Sequence, residues 1–311
     1  MMRIILSLLF LVLLSPGYVG AYTIRTLDYE GYSTWLTGIN DSGQIVGYYA
    51  DNSGRNHGLI YDESTSEFTV IDYDDSSNDG STMPMGINNN GQIVGVYSTS
   101  GVQGFTYDST NGFQLVNYSG NDLMLFKIND SGQYVGTTFP NPGESEGLVY
   151  DPNSGFQTVK YGTNNTWFAG NNNDNIIVGS IIDDSGQYNG IKYTSSGFQV
   201  INISDHPTIF YDINDQGLIV GDYEDFSNGG YIGFIYNPDG SVEFVDFNDN
   251  VLWLIGTNNN GEIVGSYVDG SSRHHGLLIM PEPPNPVPLP TTALLLASGL
   301  GLLPIFRKIK K

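Results

Sequence analysis

The chain has 311 residues, including 40 Gly, 14 Pro and no Cys, with 33 acidic against 11 basic residues. The absence of cysteine excludes a disulfide framework, a thiolate metal site and a cysteine nucleophile. Five of the basic residues lie in the terminal segments, which leaves six basic against 32 acidic residues between Tyr22 and Met280. A body of net −26 repels a phosphate backbone and so excludes nucleic-acid binding.

Residues 1–21 read as a secretory leader. Arg3 supplies the charged start, Ile4 to Leu14 an apolar stretch too short for a comfortable span, and Ser15–Pro16–Gly17 a break. Val19 and Ala21 are small residues placed for cleavage after Ala21. The mature chain then opens with an apolar–polar strand pattern over Thr23 to Tyr29.

The body repeats itself. Six segments share one pattern: GINDSGQIVGYY (38–49), GINNNGQIVGVY (86–97), KINDSGQYVGTT (127–138), GNNNDNIIVGSI (170–181), DINDQGLIVGDY (212–223) and GTNNNGEIVGSY (256–267). The second glycines, Gly47, Gly95, Gly136, Gly179, Gly221 and Gly265, recur every 41 to 48 residues, and each follows an Asn by seven. Each unit predicts four short strands. The first runs into that Asn, a turn rich in Asn, Asp, Ser and Gly reverses the chain, and three further strands follow. Examples of the second to fourth strands are Gln44–Tyr48, His57–Asp62 and Phe68–Tyr73.

Units one to five contain all four strands, whereas the sixth stops at Met280 after its third. The missing strand is present at the other end, at residues 23–29. A ring closed by its N-terminal strand uses that arrangement and also protects strand edges, whereas a linear solenoid has no use for it. The expected fold is all-β: a six-bladed β-propeller of about 43-residue, four-stranded repeats over residues 22–280, with the first strand of each blade nearest the axis. The segments His57–Gly58–Leu59–Ile60–Tyr61 and Gln103–Gly104–Phe105–Thr106–Tyr107 resemble HAF-type extracellular repeats, with Gly where that family's motif has Ala. The resemblance implies an exported bacterial repeat protein and brings no catalytic residue with it.

Few residues suggest chemistry. His57 and His275 share one repeat position, each two residues after an arginine, Arg55 or Arg273, and no nucleophile or orienting acid repeats beside them, so a structural role is expected. His206 lies on a predicted loop, where it could serve as a base or ligand. The Asn/Asp-rich turns lack the calcium-loop spacing and read as turn chemistry. Asp72, Asp74, Asp75 and Asp79, in the longest loop, are the better Ca²⁺ candidates in so anionic a body. Trp35, Trp167 and Trp253 stand five residues before the repeated Asn, where other units have Met83, Met124 and Ile209. Packing between blades is expected of them, with a sugar-stacking role open at one end of the channel. Asp28, Asp72, Asn117, Lys160, Asn202 and Asp246 form one polar register expected to be solvated.

The C-terminal segment comprises a proline-rich spacer with Pro281–Glu282–Pro283, the motif Val287–Pro288–Leu289–Pro290, an apolar run at 291–306 and the basic tail at 307–311. The run predicts a short transmembrane helix with its basic end in the cytoplasm. Together these elements resemble the PEP-CTERM sorting signal of bacterial surface proteins in its Val-Pro-Leu-Pro variant. The resemblance implies an exosortase-type membrane protease as partner. The expectation is a non-catalytic envelope or matrix protein, exported to the cell surface or beyond, that binds polysaccharide or protein. The alternative is a hydrolase holding a metal ion among inward carboxylates of the channel, for which Asp212 is the acidic exception among the Asn-ending first strands.

Overall fold

The structure, a computed structural model, describes residues 9–11, 22–74, 80–225, 230–245, 247 and 251–282. The cleavage point at Ala21, the motif Val287–Pro290, the apolar run at 291–306 and the basic tail lie outside the described residues. Among the described residues no helix is long and apolar enough to cross a membrane.

Strand β1 (Leu9–Leu11) pairs with β2 (Tyr22–Thr26). Blade 1 consists of β3 (Ser33–Ile39), β4 (Gln44–Ala50), β5 (Asn56–Asp62) and β6 (Glu67–Ile71). Blade 2 is β7 (Ser81–Ile87), β8 (Ile93–Ser98), β9 (Val102–Asp108) and β10 (Gly112–Val116). Blade 3 is β11 (Asp122–Ile128), β12 (Tyr134–Phe139), β13 (Glu146–Asp151) and β14 (Gly155–Val159). Blade 4 is β15 (Asn165–Asn171), β16 (Ile177–Ile182), β17 (Tyr188–Thr194) and β18 (Gly197–Ile201). Blade 5 is β19 (Thr208–Ile213), β20 (Ile219–Asp225), β21 (Gly230–Tyr236) and β22 (Val242–Phe244). Blade 6 is β23 (Leu252–Thr257), β24 (Ile263–Val268) and β25 (His274–Pro281), completed by β2, with β1 as a fifth strand on its outer edge. All pairings are antiparallel, and β2 joins β25 in the register Tyr22↔Pro281 to Thr26↔Leu277. The chain is a six-bladed β-propeller, and its N-terminal strand closes the ring.

The repeated dipeptide after each turn explains how the blades pack. Successive strand residues face opposite sides of a sheet, so the pair sends one side chain into each neighbouring interface. Ile45 packs with Val264 and Leu278 of blade 6, while Val46 packs with Ile93 and Phe105 of blade 2. Tyr134–Val135, Ile177–Val178 and Ile219–Val220 divide in the same way, and one apolar cluster fills each of the six interfaces. The invariant second glycine has a different cause. Each first strand carries a bulge, for example between Leu36 and Gly38, opposite this glycine. A Cβ at Gly47 would lie 2.0 Å from the Trp35 carbonyl oxygen, and one at Gly265 would lie 1.9 Å from that of Trp253. No side chain fits there.

The repeated asparagines join the blades at the axis. Within its own turn Asn40 accepts the backbone N–H groups of Ser42 and Gln44 at Oδ1, 3.2 and 3.0 Å. Gly43, at φ 79°, completes the reversal. The Asn40 Nδ2 donates to the Asn88 carbonyl at 3.1 Å. The same bond runs Asn88 to Asn129, Asn129 to Asn172, Asn172 to Asn214, Asn214 to Asn258, and Asn258 back to Asn40 at 3.0 Å. Six amides thus form a closed ring of inter-blade bonds.

A second ring lies one residue further on, where the six repeats read Asp41, Asn89, Asp130, Asn173, Asp215 and Asn259. The Oδ1 of each accepts the backbone N–H of the preceding blade's equivalent at 2.7 to 2.9 Å. Each Asn amide also donates to the Oδ2 atoms of the aspartates on both sides, at 2.9 to 3.1 Å. Alternation supplies two donors from every amide and two acceptor sites on every carboxylate oxygen. Asp130→Asn would remove one negative charge from an anionic body, yet it places three amides in succession with no acceptor between them. It should destabilise by about 1–3 kcal/mol in urea unfolding, whereas the exposed turn variant Asp239→Asn should cost less.

Candidate functional site

The two mouths of the channel differ chemically. Each first strand ends at the Asn/Asp rings, so its beginning, the second-to-third-strand turns and the blade-to-blade connections lie at the opposite mouth. Just inside the ring mouth is a cavity of about 60 Å³ bordered by Lys127, Asp212, Asn171 and Thr257. Lys127, from blade 3, reaches 3.3 Å from the Asp212 Oδ2 of blade 5 and also donates to the Thr37 carbonyl of blade 1. Asp212 further accepts the N–H groups of Ile213 at 2.9 Å and Thr257 at 3.0 Å. Burial pulls the Lys127 ammonium below its ordinary value and lifts the Asp212 carboxyl above its own, and each charge opposes the shift of the other. Removing one partner alone would leave a buried uncompensated charge, a loss of roughly 3–5 kcal/mol. Asp212, the acidic exception of the first strands, is therefore engaged by a cation and two backbone amides. Among the described residues no group of three or more His, Asp or Glu is arranged to hold a metal ion.

At the opposite mouth, four successive ring contacts run across three blades. Tyr231 of blade 5 lies 6.3 Å from Trp253 of blade 6, and Trp253 stacks on His274 at 5.6 Å. His274 meets Trp35 of blade 1 at 4.5 Å, and Trp35 stacks on Tyr48 at 5.1 Å. The tryptophans are half-buried and Tyr231 is 40% exposed. A shorter group in blades 3 and 4 places Trp167 against Phe126 and Phe139. The tryptophans thus pack between blades, as expected, and also present a row of aromatic surface. His274 completes it: its Nδ1 is buried without a partner, and burial followed by the nearby His275 holds its pKa below the ordinary value.

His57, on β5, and His275, on β25, lie in the blades that carry Trp35 and Trp253, and here the structure corrects the sequence reading. Two acids stand beside each. His57 contacts Asp72 at 2.7 Å and Asp51 at 3.4 Å; His275 contacts Asp28 at 2.7 Å and Asp269 at 3.1 Å. Each imidazole also stacks on a tyrosine, Tyr49 or Tyr267. A carboxylate faces each ring nitrogen and fixes the imidazole in place, so the expected structural role stands on different grounds. The Ser53 hydroxyl first, and for Asp269 the Ser271 hydroxyl then His275, hold the Asp51 and Asp269 carboxyls well below the usual range.

The register expected to be solvated is instead paired with the neighbouring third strand. Besides the two His–Asp pairs, Asn202 donates to Asn189 at 2.8 Å and Lys160 lies 4.0 Å from Glu146. Asn117 caps its own loop through Gly120 N–H. Asp246 lies outside the described residues. Of the Ca²⁺ candidates, Asp72 is engaged by His57 and by the Gly58 N–H, and Asp75 and Asp79 lie outside the described residues. His206 packs on Tyr223 at 5.3 Å, away from the row.

One residue missed by sequence reasoning stands out. Asp222 follows the second glycine of blade 5 and is 0% exposed, and neither carboxylate oxygen has a full hydrogen bond. The Tyr211 hydroxyl is the group that interacts with it, and burial pushes its pKa up to about 7. The equivalent residues are Tyr48, Val96, Thr137, Ser180 and Ser266. A lone acid in an otherwise uncharged register was the available signal.

No protein-family profile matches the chain, and no curated protein does. Solved structures share its fold. Streptogramin B lyase aligns over 82% of this chain and 97% of its own at 9% identity, TM-score 0.50. TolB from Acinetobacter baumannii aligns over 77% and 64% at 14% identity, TM-score 0.54. A variant of Aleuria aurantia lectin in complex with Fucα1-6GlcNAc aligns over 81% and 98% at 10% identity, TM-score 0.51. At such identities the likeness establishes the propeller and nothing about activity.

A carboxyl raised in the folded state binds its proton more tightly there than in the unfolded chain. Stability from Asp222 is therefore lost as pH rises from about 4 towards 7. Asp222→Asn should stabilise the protein by about 1–3 kcal/mol at pH 8 and leave stability nearly unchanged at pH 4, read from urea unfolding at both values.

Proposed function

We propose that the chain is an exported envelope or matrix protein whose propeller binds extracellular polysaccharide on the aromatic row Tyr231–Trp253–His274–Trp35–Tyr48. The row carries this reading. The exposed Tyr231 ring and the uncovered parts of the half-buried indoles offer apolar ring area to the C–H face of a sugar, and rigid aromatics lose little conformational entropy on binding. Contacts spread over three blades suit an extended polymer better than a single small molecule. The lectin shows that a propeller of this kind can carry a fucosylated sugar. The His–Asp pairs of blades 1 and 6 hold the surrounding turns in place.

Delivery is the second part of the proposal. The leader at 1–21, cleaved after Ala21, exports the body, and the tail at 281–311 with Val287–Pro288–Leu289–Pro290 makes it a PEP-CTERM substrate of an exosortase-type protease. The HAF-like repeats are in keeping with that destination.

Two measurements test this. Intact mass of protein from native cells, fractionated into membrane, surface and medium, should show a product beginning at Tyr22 and ending near Pro290. A membrane product retaining Lys311 would make the tail a plain anchor. In affinity electrophoresis with extracellular polysaccharides, the wild type should be retarded, and Trp35→Ala with Trp253→Ala should weaken binding roughly tenfold or more. Equal retardation of both proteins would remove the row from the binding site.

A further inference from the structure

We propose that the polysaccharide is a cationic, amine-bearing one, such as a polymer of non-acetylated glucosamine, whose ammonium groups lie over the aromatic row and are favoured at its blade 5 end by the charge of Asp222. The inference rests on the preceding reading of the row as a glycan site and specifies its ligand class.

Three independent observations point this way. The first is the field. Five of the six basic residues in the body, all but Lys192, are engaged: Arg25, Lys127, Lys160 and Arg273 stand beside Glu63, Asp212, Glu146 and Asp28, and Arg55 donates to the Gly80 carbonyl. The excess of acidic residues is left to repel a uronate or sulfated polymer and to attract a cation. The second is the surface: the exposed electron-rich ring of Tyr231 attracts an ammonium group within about 6 Å of its centre, and the half-buried Trp35 and Trp253 add ring area beside it.

The third is Asp222. No other blade has an acid at its position, and serine serves in blades 4 and 6, so the fold does not require one there. A buried carboxylate without a full hydrogen bond is unfavourable, and its charge, set in a low-dielectric wall, projects further than an exposed one. It lies beside the row: in the β20–β21 ladder Glu224 stands opposite Tyr231 and Asp222 opposite Gly233, two residues along the same face, so both acids share the face of Tyr231, the exposed ring at the row's end. The other groups near it are Tyr211 on β19 and Tyr188 on β17. Strand β23, packed against β20 from blade 6, carries no titratable side chain.

The test compares a glucosamine hexamer carrying permanently charged N-trimethyl groups with the N-acetylated hexamer, by calorimetry on the mature full chain at low salt. At pH 8 the cationic oligomer should bind at least tenfold more tightly. That preference should shrink at pH 5 as Asp222 takes up a proton. Asp222→Asn should show the smaller preference at both pH values, with binding of the acetylated oligomer unchanged. Protonation of His57, His206, His274 and His275 affects both proteins alike and cancels in the comparison, and Glu224→Gln isolates the other acid. Full preference retained in Asp222→Asn would overturn the role of that residue. Equal binding of both oligomers to the wild type would overturn the ligand class while leaving glycan binding standing. Binding of neither would overturn both readings.

Discussion

The architecture depends on six asparagines that each perform two tasks. The side-chain oxygen fixes the turn of its own blade, and the side-chain nitrogen holds the carbonyl of the next. Turn formation and ring closure are therefore coupled: a blade whose hairpin is formed offers its amide in the right place, and its neighbour's hairpin supplies the acceptor. Long-range closure is entropically expensive for a chain of this length. Distributing it over six equivalent bonds, each prepared by a local turn, makes the last step, Asn258 to Asn40, no different from the other five.

The second ring adds a constraint on number. Asp and Asn must alternate, because a carboxylate pair has no donor between its members and an amide pair has no free acceptor. Alternation closes without conflict only for an even number of blades. Five or seven would force one like pair, so this register favours six blades over neighbouring ring sizes and specifies the ring as well as stabilising it. The three aspartates bring negative charge to one mouth, but each is met by three hydrogen bonds, so the acidity there is structural.

Much of this was readable from sequence. The repeat, the four strands per unit and the displaced strand at 23–29 give the propeller and its closure, because periodicity is a one-dimensional property. Asp41, Asn89, Asp130, Asn173, Asp215 and Asn259 were equally visible as an alternating column. Their meaning emerges only when successive units become neighbours around an axis, since each hydrogen bond joins residues more than 40 positions apart. The clamp of His275 by Asp28 was hidden for the same reason, as 247 positions separate its members. Asp222 was legible as an odd residue in its register, but its burial beside Tyr211 is a property of the packed blades.

The net charge has a structural origin. Asp51, Asp62, Asp108, Asp151, Asp183, Asp239 and Asp269 each accept hydrogen bonds from the backbone or side chains of a tight turn, which holds their carboxyls below the usual range. Many short strands need many turns, and aspartate is an efficient residue for beginning one. These groups favour the folded state above the ordinary carboxylate range and lose that contribution as pH falls. Asp222 has the opposite sign and the opposite surroundings, with no turn to stabilise and the Tyr211 hydroxyl as the group that interacts with it. Charges that build turns are consumed locally by the amides they accept, yet they still sum to a field at long range. Turn building offers no explanation for Asp222, which shares the face of Tyr231 at the end of the aromatic row, where a cation would meet both that field and a buried carboxyl.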